Sequence, residues 1–131
     1  VEIKGNLTVK GNKSFIANHP NDPKKEIAYI ALEGGESGTY WRGTGQLTNG
    51  YSSITLPEHF TLVTSATGIT VNLTPRDECN GLRIVSASPN KIEVKELNNG
   101  TSNAKFDFFV MGLRIGFENH QPIRDKELEG A

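Results

Sequence analysis

The chain has 131 residues and a formal net charge of −1, and 22% of its residues are charged, with Lys and Arg scattered among Asp and Glu. This length predicts one domain with a short appendage. The charge pattern contains no basic stripe for nucleic acid, and no apolar run approaches the roughly 20 residues of a membrane span. We therefore expect no nucleic-acid partner and no insertion into a membrane.

The N-terminal segment contains one hexad written twice, IKGNLT followed by VKGNKS. Each copy places an apolar residue before Lys-Gly-Asn, and glycine and asparagine tolerate the positive φ of tight turns. Short repeats of this kind are typical of stacked β shafts, because one thin chain cannot bury its own apolar side chains. We predict a β stem over residues 1–14, the end of a longer shaft, and an ordinary hairpin closed at Gly5-Asn6 is the alternative. The predicted contacts at the stem axis are Ile3, Leu7 and Val9.

Segments of strand type follow one another along the rest of the chain, with turn signals roughly every ten residues. They begin at Phe15 and continue at residues 27–32, 39–44, 51–56, 69–74, 82–85, 92–95 and 106–115, the last being the longest and predicted to be central. The Asn49-Gly50 pair predicts a hairpin, and Pro57 predicts one helical turn with proline at its first position. This spacing predicts an all-β fold, a β-sandwich or barrel-like head over residues 15–118, followed by a flexible tail over residues 119–131.

Apolar and polar residues alternate strictly over residues 69–74 and again over 92–95, which places the apolar residues on one face of each strand. The apolar residues expected to be largely buried are Ile69, Val71, Leu73, Ile84, Ile92, Val94, Phe106, Phe108 and Val110.

Residue types that could carry chemistry are present but do not form a recognised constellation. A rigid turn is predicted at His19-Pro20-Asn21-Asp22-Pro23, since the two prolines fix φ. The same segment does not supply the three or four ligands that a metal site needs. Glu33, Glu36 and Glu58 could supply the carboxylate pair of a glycoside hydrolase, although capping or solvated carboxylates are the simpler interpretation. The single cysteine, Cys79, lies in a turn-rich segment and is interpreted as incidental. We assign no catalytic residue, no metal site and no cofactor.

Tyr40, Trp41 and Arg42 form the one aromatic cluster beside glycines. On a strand, Tyr40 and Arg42 share one face and Trp41 takes the other. Aromatic and arginine side chains are enriched in recognition surfaces, so these three residues are candidate ligand or subunit contacts. Core packing is the competing interpretation for part of the cluster.

An ordered set of motifs supports a resemblance to a known family. It comprises FIANHPNDP, ALEGGESGTYWRG, ITLPEHF and VNLTP, followed by the segment from Phe106 to Arg114 and then GFEN. Together they cover roughly residues 13–120 and resemble a poorly characterised β-rich domain of bacterial surface proteins and phage-type tail fibres, which commonly follows a repetitive β stem. The resemblance implies no catalytic or ligand residue. It does imply a homotrimer, and the serine–lysine motif of self-cleaving fibre chaperones is not found.

We therefore predict a non-catalytic structural or binding head of a trimeric fibre or surface appendage, acting in assembly and in attachment to a receptor or surface. The expected partners are two further copies of the chain and a cell-surface glycan or protein receptor, and the expected location is a virion or a cell surface. The alternatives are a small polysaccharide-active enzyme domain of a fibre and a secreted monomeric β-sandwich. Because the sequence starts at Val1 without a Met or signal peptide, we expect a fragment or a cleaved product.

Overall fold

The computed structural model describes residues 1–126, which fall into two compact units, Val1–Gly34 and the unit that begins at Gly35. Residues 127–131, part of the predicted C-terminal tail, lie outside the described residues. The predicted boundaries at residues 14 and 118 stay predictions.

The first unit consists of a strand-free segment and one hairpin. Residues 1–13 form no strand, but the chain bends at Lys4-Gly5 and again at Lys10-Gly11, six residues later. The alternative hairpin at Gly5-Asn6 is therefore not formed. Strands β1 (Ser14–Asn18) and β2 (Glu26–Ile30) then pair in antiparallel fashion.

The second unit contains two three-stranded antiparallel sheets, with the strand orders β3-β8-β5 and β4-β7-β6. One short α-helix, α1, spans Glu58–Val63, and a 3-10 turn spans Leu97–Asn99. The strands are β3 (Gly38–Gln46), β4 (Tyr51–Thr55), β5 (Thr70–Pro75), β6 (Leu82–Ala87), β7 (Lys91–Glu96) and β8 (Lys105–Leu113). Across residues 1–126 the sheets stay open and no barrel closes.

One hydrophobic core draws on the central strands of both sheets in the second unit. β7 contributes Ile92 and Val94, which are fully buried, and β8 contributes Phe106, Phe108 and Val110. Leu47, Leu56, Phe60 and Ala104 complete the buried cluster. The remaining predicted core residues, Ile69, Val71, Leu73 and Ile84, pack against it while only partly buried.

Two glycines of β3 make room for this core. A Cβ on Gly45 would lie 2.7 Å from the Phe106 ring and 2.8 Å from Ile54 Cδ1, and a Cβ on Gly43 would lie 2.9 Å from the Phe108 ring. The register explains this, because Gly43 and Gly45 stand directly opposite Phe108 and Phe106 on β8. The small residues on one strand thus accommodate the large ones on the next.

A buried carboxylate fixes the turn after β7. Glu96 is 4% exposed and accepts hydrogen bonds from the backbone N–H groups of Asn80 and Ser102 and from the Ser102 hydroxyl. These donors, the hydroxyl first, hold the pKa of Glu96 below its ordinary value. The turn itself needs Asn98 and Asn99 at positive φ.

The predicted all-β class is confirmed, and β8 is central in its sheet as predicted. Two local predictions need correction. Pro57 is the N-cap of α1 and not its first helical residue. Asn49 and Gly50 do form a tight turn at positive φ, closed by a bridge between Thr48 and Tyr51, but no hairpin follows. Beyond that bridge, β3 and β4 pair within different sheets, and Leu47, which follows β3, is buried in the core.

Candidate functional site

The face of the β3-β8-β5 sheet that points away from the core carries polar and aromatic side chains. Register places Arg42 and Asn72 on either side of Phe109, and Thr44 and Thr74 on either side of Asp107. Their neighbours along each strand point to the other face, where Val110 and Phe108 are buried. We call the exposed set the outer platform; it comprises Tyr40, Arg42, Thr44, Asn72, Thr74, Arg76, Asp107 and Phe109.

Two aromatic rings stack on this platform. The Tyr40 and Phe109 rings lie 5.2 Å apart between centroids, with an interplanar angle of 8°. Tyr40 is 58% exposed and Phe109 is 36% exposed, so apolar ring surface remains open to solvent. Such amphipathic rings suit contact with a partner that has both apolar and polar parts.

A small charged cluster lies beside the rings. Arg76 Nε donates to Asp107 Oδ1 at 2.7 Å, and the Thr44 hydroxyl donates to the same oxygen at 2.8 Å. The Arg76 hydrogen bond, followed by that from Thr44, holds the pKa of Asp107 below its ordinary value. Arg42 forms no ion pair with any residue from 1 to 126.

These side chains border a shallow hollow of about 270 Å³, lined by Arg42, Gly43, Thr44, Asn72, Thr74, Arg76, Asp107, Phe108 and Phe109. Ligand pockets usually measure 300 to 1,000 Å³, so the hollow suits a small group better than an extended molecule. Hydrogen-bond donors and acceptors converge on it from three neighbouring strands. The arrangement can hold a ligand through these polar groups.

Of the three residues in the predicted aromatic cluster, the structure brings two together. Tyr40 and Arg42 share the outer platform, as the alternation predicts. Trp41 takes the opposite face and meets His59 of α1 edge to face, with ring centroids 5.2 Å apart. Sequence reasoning missed Thr44, Phe109, Asn72, Thr74, Arg76 and Asp107. Because side chains alternate between the faces of a strand, the predicted burial of Phe106, Phe108 and Val110 already implied that Asp107 and Phe109 face away from the core. Only the strand pairing places them beside Tyr40 and Arg42.

The hairpin of the first unit presents apolar side chains on both faces. One face carries the cross-strand pairs Phe15–Tyr29 and Ala17–Ile27, and the other carries Ile16 opposite Ala28. Phe15 is 66% exposed and Tyr29 is 71% exposed. Strands with apolar residues on both faces are typical of strands covered on both sides. The predicted axis residues Ile3, Leu7 and Val9 are likewise exposed in the single chain.

The remaining candidates have local structural roles. The His19–Asp22 turn is held by the Asn21 N–H donating to His19 Nδ1 and the Lys24 N–H donating to Asp22 Oδ1. Glu33 Oε2 forms an ion pair with Lys13 Nζ at a distance of 3.1 Å. Glu36 and Glu58 are exposed to solvent. Cys79 is a free thiol, partly buried against the core.

Further findings concern residues 1–126 as a whole. No group of three or more His, Cys, Asp or Glu side chains in this range is arranged to hold a metal ion. Over the same range, none of the helices has the length and apolar content needed to cross a membrane. Comparisons with protein-family models, curated proteins and solved structures found no match.

Proposed function

We propose that this protein is a non-catalytic β-sandwich head of a homotrimeric fibre or surface appendage, acting in assembly and in attachment to a receptor or surface. The observation that carries the proposal is the β1–β2 hairpin, which exposes apolar side chains on both faces. An isolated two-stranded hairpin is marginally stable at best in water. Further copies of the chain offer the cover that it needs.

The segment before the hairpin supports the same assembly. The chain bends with the six-residue period of the hexads, and Ile3, Leu7 and Val9 lie between or beside those bends with no cover of their own. Symmetric association is the usual way in which repeated chains bury such residues and hide open strand edges. Because the net charge is only −1, electrostatic repulsion between copies of the chain is weak. The sequence resemblance to fibre domains favours three copies over two.

The sandwich and the attachment role rest on the second unit. Ile92 and Val94 of one sheet and Phe106, Phe108 and Val110 of the other join one core, as in sheets that pack face to face. The outer platform leaves a polar and aromatic surface free for a receptor. The location that follows is a virion or a cell surface.

The Tyr29→Lys variant tests the assembly role of the hairpin. In a monomer this substitution is exposed and should change the free energy of unfolding by less than about 0.5 kcal/mol relative to the parent. In a trimer it would bury an unpaired charge. We expect light scattering to show three chains, each of 14.3 kDa, for the parent and one chain for the variant. Leu62→Lys on α1 is the control, since Leu62 is 67% exposed, and it should remain trimeric. A trimeric mass for Tyr29→Lys, or loss of the trimer to the same extent in both variants, would contradict the hairpin's role in assembly.

The enzymatic alternative has its own test. If the protein were a polysaccharide-active enzyme, purified protein incubated with envelope glycans would release products, and Glu33→Gln or Glu58→Gln would abolish that release. We expect no product release. Activity lost in either variant would overturn the non-catalytic assignment.

A further inference from the structure

The outer platform carries two arginines and one aspartate, and so has one positive charge in excess. Arg76 and Asp107 pair with each other, whereas Arg42 forms no ion pair with a described residue. Arg42 on β3 stands directly opposite Phe109 on β8. Asn72 on β5 stands opposite the same phenylalanine on its other side. A guanidinium in this setting presents a planar fork of donors that matches a carboxylate in bidentate geometry.

The same surface places partly exposed aromatic rings next to polar groups. The stacked Tyr40 and Phe109 rings leave ring surface exposed, while Asn72, Thr74 and Thr44 supply amide and hydroxyl groups on the adjacent strands. A pyranose ring has the complementary form, with apolar C–H bonds on its face and hydroxyls at its rim. A hollow of about 270 Å³ suits one such ring better than an extended ligand.

We propose that the outer platform binds one carboxylate-bearing sugar residue of an acidic polysaccharide. Its carboxylate lies on Arg42, its C–H face lies on the Tyr40–Phe109 pair, and its hydroxyls bond to Asn72 and Thr74. The Arg76–Asp107 pair closes the hollow and holds both side chains in place. The proposal rests on the attachment role given above and names the class of receptor that the role requires.

A second copy of this chain suits the platform less well. Cores of interfaces between copies are depleted in charged residues and enriched in apolar area. The platform has three charged side chains within one small hollow, and the hairpin of the first unit offers the more apolar surface for assembly. Arg42, which has no ion pair among residues 1–126, and the polar groups of Asn72 and Thr74 favour a small anionic ligand.

The test is calorimetric titration of the full chain with three acidic polymers, namely polygalacturonate, hyaluronan and polysialic acid. The carboxyl-reduced neutral form of each polymer and inorganic phosphate serve as ligand controls. We expect at least one acidic polymer to bind and its reduced form to bind at least tenfold more weakly. Phosphate alone should bind negligibly, because it lacks the apolar ring face.

Variants locate the binding. Arg42→Ala should weaken binding at least tenfold, and Arg42→Lys should recover only part of it because an ammonium lacks the planar fork. Tyr40→Ala should weaken binding several-fold. Arg83→Ala is the matched control, since it removes the same charge from an exposed position on β6 in the other sheet, and it should change binding less than twofold. Circular dichroism of each variant should match the parent.

Several results would overturn the proposal. These are binding by none of the acidic polymers, equal binding of the reduced forms, or equal losses in Arg42→Ala and Arg83→Ala. Light scattering on the same samples shows whether the trimer forms, independently of whether the ligand binds. A trimer that binds no acidic sugar refutes the ligand but leaves the fibre head intact. A monomer that binds through Arg42 refutes the trimer but keeps the ligand site.

Discussion

The two compact units use similar apolar residues in opposite ways. In the second unit, burial alternates along β7 and β8, and each apolar residue on the inner face of these strands is buried. In the first unit, β1 and β2 place Phe, Ile, Ala and Tyr on both faces, and none of their residues is buried. The difference between the units therefore lies in burial: β7 and β8 have one face packed in a core of their own unit, whereas both apolar faces of β1 and β2 are left without such cover.

The largest expected difference between the units comes from truncating one phenylalanine in each. Phe108→Ala should lower the free energy of unfolding by about 3–5 kcal/mol, because it leaves a cavity in a packed core. Phe15→Ala, at 66% exposure, should leave the unfolding of the second unit unchanged. Trp41, the single tryptophan, reports this unfolding by fluorescence in denaturant. An unchanged midpoint for Phe108→Ala would refute the register of β8.

Overpacking the same core should have a smaller effect. Gly45→Ala introduces a Cβ within 2.8 Å of Phe106 and Ile54, and the strain should cost about 1–3 kcal/mol. Gly35→Ala is the control in the same unit, since its nearest heavy atom would lie 3.6 Å away, an ordinary contact. Denaturant titration should show a lower midpoint for Gly45→Ala alone. Equal midpoints would mean that β3 does not face Phe106 as closely as described.

The smallest effect should depend on pH. Because the pKa of Glu96 is lowered in the folded protein, its ionised form stabilises the fold above the ordinary glutamate pKa of about 4.3, and this stability is lost as the pH falls through the lowered value. Glu96→Gln should therefore lower the melting temperature at pH 7, and its difference from the parent should shrink below about pH 4. Exposed Glu78→Gln should show no such trend. A pH-independent difference would contradict this role of the carboxylate.

Much of the second unit was predictable because its signals are local. Alternation in residues 92–95 identified β7, the length of the segment 106–115 identified the central β8, and Pro57 marked α1. All five residues predicted to be buried on these two strands are buried. The platform was only half predictable. Period-two alternation separates Tyr40 and Arg42 from Trp41, but the neighbours Asn72 and Asp107 come from strands 30 or more residues away, and no local pattern specifies that pairing.

Other features could not be read from local patterns for the same reason. Asn49-Gly50 specifies a tight turn, but the flanking strands pair with β8 and β7, which lie far along the chain. The acceptor role of Glu96 arises from the folding of Asn80 and Ser102 around it, and a lone glutamate in a strand gives no sign of it. The turn over residues 19–22 is the opposite case, since its side-chain hydrogen bonds join residues only two apart.

Light scattering on the full chain at micromolar concentration tests the contrast between the units most directly. We expect a mass of three chains for the parent. Deletion of residues 1–10 should weaken or abolish the trimer while circular dichroism shows nearly unchanged β content, because the sheets of the second unit hold their own core. A mass of one chain for the parent would contradict the account and leave a monomeric β protein whose apolar hairpin is uncovered.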